Sequence, residues 1–225
     1  MAMPEAHVRR IRTGIWYLTW RFVGVLVLAM GVHVGYAVVS GQGAKALRDT
    51  LREDLAHVRV LDRSGHAYAR ARRWAHAAYT WVYERSGFND MIRRFADPRG
   101  LNPIDTELRK VIVHYWPEIR ASMVSVQILG ERLAMLASTW PLVALLAVVA
   151  IADGWMAWSL RRAFAARESA FLYHRLKRGF FVTIVIMWLV YLTPPTPMYP
   201  QLLVAFVAAA AILLRMTLAY FKKYV

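Results

Sequence analysis

The chain has 225 residues, 58% of them hydrophobic, and carries 29 basic against 14 acidic side chains for a net charge of +15. Soluble domains are about 45–50% apolar, so a membrane protein is the first reading, and the charge excess then serves orientation and contact with anionic lipid ahead of nucleic acid. With no cysteine, disulfides and thiolate zinc sites are excluded and the redox compartment stays open.

Arg9, Arg10 and Arg12 precede the first apolar run, as in a secretory signal. The run from Phe22 to Val39 is uncharged and too long for one, and no small-residue cleavage pattern closes it. A bilayer core of roughly 30 Å needs about 20 apolar helical residues, and four segments meet or approach that length. The first is Ile15–Val39, entered through Trp16, Tyr17 and Trp20. The long segment that follows reads as helical, because Leu47, Leu51, Leu55 and Val58 recur at helical spacing. Ala67, Ala71, Trp74, Ala78 and Trp81 repeat the pattern up to Gly87. After the break "DPRGLNP", Asn102 and Pro103 start another helix, expected to run toward the second span with a bend at Pro117. That second span, Leu133–Ala152, contains Pro141, a further expected bend. The third, Gly179–Thr193, is short unless Lys177 and Arg178 snorkel. "PPTPMYP" then makes a tight turn into the fourth, Gln201–Tyr220.

Basic residues set the orientation. The N-terminal flank, the connection between the second and third spans, and the C-terminal end together hold thirteen basic residues against three acidic ones, Glu5, Asp153 and Glu168. Both termini and that connection are therefore expected in the cytoplasm. The long loop, with 16 basic and 11 acidic residues, exceeds the length of about 60 residues to which the rule applies.

The connection "RRAFAARESAFLYHRLKR", Arg161–Arg178, holds the residues to weigh for chemistry. A hydrolase would use Ser169 with His174, but local spacing sets no base against the serine, and one histidine gives no metal pair. A basic helix at the headgroups is the plain alternative. A protein-docking surface is the third: Arg161, Arg162, Arg167 and Glu168 stand beside Phe164, Phe171 and Tyr173, and arginine and aromatic side chains dominate interface hot spots. Asp153 at the end of the second span is expected to pair with a nearby arginine, Arg215 being one choice. His33, inside the first span, is expected to donate a helix-packing hydrogen bond rather than relay protons. The loop histidines His57, His66, His76 and His114 show no metal spacing.

Asp153-Gly154, the following Arg-Arg, "ARESAFLYHR", Trp188, Tyr191-Leu192, the prolyl turn and the ending "FKKYV" resemble the inner-membrane proteins of integrative and conjugative elements. So does "W-x-x-x-x-R-S-G" at Trp81 and Arg85–Gly87. These proteins are encoded among type IV secretion genes, often beside the coupling ATPase. Ala166 departs from the glycine expected before Arg-Glu-Ser. The resemblance implies conjugative DNA transfer, a membrane partner for the coupling ATPase or secretion channel, and no enzymatic activity.

The combined expectation is an all-α integral membrane protein of the bacterial inner membrane with four transmembrane helices. Residues 1–40 hold the N-terminal flank and first span, 41–132 an extracytoplasmic helical module, and 133–158 the second span. Residues 159–178 form a cytoplasmic basic connecting helix, and 179–225 a transmembrane hairpin with a basic end. Asp153, Arg161, Arg162, Arg167, Glu168, Phe171, Tyr173 and His174 are the expected partner-binding residues, with no catalytic, cofactor or metal residue. Expected partners are the type IV coupling ATPase or other secretion-system membrane proteins, membrane lipids and a second copy of the chain, with direct nucleic-acid contact a lesser choice. A small transporter or channel subunit is the rival reading, and a membrane-bound hydrolase ranks below it.

Overall fold

A computed structural model describes residues 5–62, 64–96, 103–164 and 170–221. The described residues are helical, with no strand among them. In chain order the helices are α1 (Glu5–Val39), α2 (Ala44–Leu61), α3 (His66–Tyr79), α4 (Phe88–Ala96), α5 (Pro103–His114), α6 (Trp116–Ser138), α7 (Trp140–Ala163), α8 (Ala170–Leu192) and α9 (Gln201–Ala219). A single π-helical turn, Thr80–Glu84, extends α3. Three stretches are long and apolar enough to cross a membrane: Thr19–Val39, Trp116–Ala163 and Gln201–Ala219. In α8, Arg175, Lys177 and Arg178 confine the uncharged run to 179–192, about 21 Å at helical rise.

Two compact units divide the chain, Met1–Met135 with Leu192–Tyr199, and Leu136–Tyr191 with Pro200–Val225. The core of the first joins the end of α1 to α2 and α6, through Ala37, Ala44, Leu47, Ala121, Val124 and Ile128, with Val34 and Leu51 against it. Each fully buried Leu or Ile there contributes about 1.5–3 kcal/mol. α3 meets α6 at Gly130, where an added Cβ would lie 2.7 Å from the Trp74 carbonyl oxygen and 2.8 Å from Ala78 Cβ. In the second unit α7 packs on α9 along the helix carrying Gly154.

Several expectations change in detail. The α3 stripe buries Ala71 and Ala75, whereas Trp74 and Trp81 are exposed. Approach at Gly130 to within van der Waals distance of the α3 backbone leaves room only for alanine on that face. The helix expected to bend at Pro117 instead breaks, α5 ending at His114 and α6 starting at Trp116. Pro141 acts in the same way, standing in the first turn of α7 after α6 ends at Ser138. In both places the proline supplies no N–H to the preceding turn and its ring collides with the carbonyl four residues back, so a new helix begins there. α4 occupies the stretch between Gly87 and the break "DPRGLNP", for which the sequence reading named no element, and Gly87, with φ of +76°, ends the preceding helix in the left-handed region. Asn102 lies outside the described residues.

Candidate functional site

Arg132 is fully buried and organises the polar interior of the first unit. Its Nε donates to Asp54 Oδ2 at 3.0 Å, and Nη2 lies 2.9 Å from the same oxygen. The rest of the guanidinium reaches the turn that follows α8: Nη1 donates to the Pro194 carbonyl at 2.6 Å and Nη2 to the Thr196 carbonyl at 2.8 Å. This partnership has a local cause. Pro194, Pro195 and Pro197 carry no N–H, so the turn has too few donors for its own carbonyls, and a planar five-donor guanidinium supplies them from outside.

Asp54 closes the arrangement from the other side, its Oδ1 accepting the Met198 N–H at 2.7 Å. Burial pushes the Asp54 carboxyl above the usual carboxylate range, with the Arg132 guanidinium and the Met198 N–H pulling the other way. Thr50 donates to the Pro195 carbonyl at 2.8 Å, and His57 stacks on Tyr199 with ring centres 4.2 Å apart. His33, fully buried, lies 3.0 Å from Ser125 Oγ through Nδ1 and 3.2 Å from the Pro194 carbonyl through Nε2. A carbonyl can only accept, so Nε2–H donates to it, and in the neutral ring Nδ1 accepts a hydrogen bond from the Ser125 hydroxyl. His33 is thus the packing donor expected from the sequence. Glu131 is buried and interacts electrostatically with Asp54 and Arg132.

The described members of the expected partner-binding set lie in the second unit. Asp153 forms an ion pair with Arg215, both side chains about half exposed. One residue on, a Cβ at Gly154 would lie 2.8 Å from the Arg215 carbonyl oxygen and 2.8 Å from Leu218 Cβ. The Asp-Gly pair therefore reads as one crossing point: glycine lets the backbones approach, and the carboxylate meets the arginine on the same turn of α9. The end of α9 is gripped further along. Trp158 Nε1–H donates to the Phe221 carbonyl at 2.9 Å, the Arg161 guanidinium stands 3.7 Å from the Tyr220 ring centre, and Tyr173 meets Phe221 edge to face.

Arg161 and Tyr173 are accordingly committed to contacts within the unit. Arg162 lies over Trp158 at 4.9 Å. His174 is exposed and meets the Tyr173 ring edge to face, while Phe171 is 72% exposed with Arg175 5.9 Å from its ring. Phe164, expected from the sequence to offer an aromatic contact beside Phe171, is 79% exposed at the end of α7. Arg167, Glu168 and Ser169 lie outside the described residues. Among the described residues no cluster of three or more His, Cys, Asp or Glu side chains could hold a metal ion.

These features fit a helical membrane protein whose polar side chains pin turns and helix crossings. The family model for "IncC plasmid conjugative DNA transfer protein DtrJ-like" matches residues 38–222. The chain belongs to this DtrJ-like family and so has a role in conjugative DNA transfer, with partners in a transfer system. No curated protein and no solved structure matches it.

Proposed function

We propose that the protein is an inner-membrane adaptor of a conjugative, type IV secretion-like machine, as in integrative and conjugative elements. It docks the coupling ATPase or a channel component through the basic segment between α7 and α8. The observation that carries this reading is the family match over residues 38–222. Exposed Phe164 and Phe171, flanked in sequence by Arg161, Arg162, Arg167 and Arg175, supply the residue types of an interface hot spot. Exchanging the charges, Arg167→Glu with Glu168→Arg, is expected to abolish co-purification of the partner from membranes in mild detergent while insertion is unchanged. Undiminished recovery would remove the segment from the interface.

The proposed topology has four crossings and both termini in the cytoplasm, with α8 as the third crossing and Lys177 and Arg178 snorkelling to lengthen it. Packing of the turn 192–199 onto α2 supports placing this turn and the loop after α1 on the same side. A thiol introduced as Ala165→Cys should resist a membrane-impermeant reagent applied to intact cells and react after lysis. Reaction from outside would invert the arrangement. No enzymatic activity is proposed.

A further inference from the structure

α3 and its π-helical turn present a face that the docking role does not use. Tyr68, Arg72, Arg73, His76, Trp81 and Arg85 line an open cleft of about 750 Å³, and no carboxylate is among its lining residues. Arg72, Arg73 and Arg85 are exposed. Trp81 is 65% exposed, with the Arg85 guanidinium 4.6 Å over its ring. A cationic, aromatic surface of this kind calls for an anionic occupant, and a chain of net charge +15 makes a second copy a poor one.

Depth selects among anionic occupants. α3 touches α6 at Gly130, through the Trp74 carbonyl, Ala75 and Ala78. The uncharged run of the second span starts at Leu133, three residues later, or about 4.5 Å along the helix. With Leu133 taken as the start of the hydrocarbon region, the crossing falls within a headgroup layer about 5–7 Å thick. Tryptophan, tyrosine and arginine are the side chains suited to that layer, an amphipathic ring at the boundary and a planar cation for phosphate. We propose that the α3 face, centred on Arg72, Arg73, Arg85 and Trp81, is a binding surface for anionic phospholipid headgroups on the extracytoplasmic leaflet. The depth rests on the topology proposed above, which the Ala165→Cys labelling tests separately.

The chain has no cysteine, so Ala77→Cys, on the exposed cleft lining, gives a single site for a nitroxide. The full-length labelled protein is placed in bilayers of phosphatidylcholine alone, or of phosphatidylcholine mixed with phosphatidylglycerol. The ratio of immobilised to mobile label should rise in the mixed bilayer by about fivefold for each arginine in contact and fall again at high salt. Arg72→Gln, Arg73→Gln and Arg85→Gln together should remove the lipid dependence. Equal ratios in the two bilayers, with the Ala165→Cys result as expected, overturn the proposal; so does a lipid response that survives the triple variant. Immobilisation that requires added oligothymidylate overturns it in favour of single-stranded DNA. The bilayer comparison in the unsubstituted background stands even if the triple variant does not fold.

Discussion

Replacing Arg132 by methionine is expected to cost about 3–5 kcal/mol, the loss typical when one partner of a buried ion pair is removed. The loss has two parts. Asp54, 2% exposed, would lose its counterion and either stay charged at a cost or take up a proton, and the carbonyls of Pro194 and Thr196 would lose their donor in a turn whose prolines cannot replace it. Thermal unfolding of the purified full-length protein in detergent measures the total. Arg132→Met combined with Asp54→Leu should be less damaging than Arg132→Met alone, because it also removes the stranded carboxylate. A single variant as stable as the parent would show that the guanidinium is dispensable to the fold.

Gly154→Leu is expected to be the next most damaging change. Its first added carbon would meet the Arg215 carbonyl oxygen and Leu218 Cβ at 2.8 Å and Arg215 Cα at 3.4 Å, mostly main chain that cannot swing aside. Overpacking of this kind costs about 1–3 kcal/mol where the backbone can shift, and more where it cannot. The neighbouring Asp153→Ala should cost only about 0–1 kcal/mol, since its ion pair is half exposed. Amide hydrogen exchange reports both: faster exchange in α7 and α9 for the glycine variant, little change for the aspartate variant. Equal effects at the two positions would refute this division of labour.

The helices were legible in the sequence because length and periodicity are local properties. The apolar runs ending at Val39 and starting at Gln201 reappear as membrane-length helices. The pairing of Asp153 with Arg215, weighed as one choice from the sequence, is present, and His33 makes the packing bonds expected of it. The roles of Arg132 and Asp54 were missed. Both sit in a charge-rich loop where such residues ordinarily face water, and Asp54 is 78 positions from Arg132 and 144 from Met198. A signal did exist: Asp54 lies on the same helical face as Leu47 and Val58, seven residues after the first and four before the second. The proline-rich turn was a second signal, since a segment short of donors must borrow them. Phe164 was legible with Phe171 as an aromatic side chain among basic ones, and both are exposed.

The grip of Arg132 on the 192–199 turn also orders biogenesis. Its carbonyl partners emerge about 60 residues after it during synthesis, so the polar interior of the early module is not complete until α8 and the turn after it have been made. A chain stalled before that point would hold the Arg132–Asp54 pair without the turn's carbonyls and the Met198 N–H that complete it. Arrival of that turn thus serves as the latch on the polar interior synthesised before it.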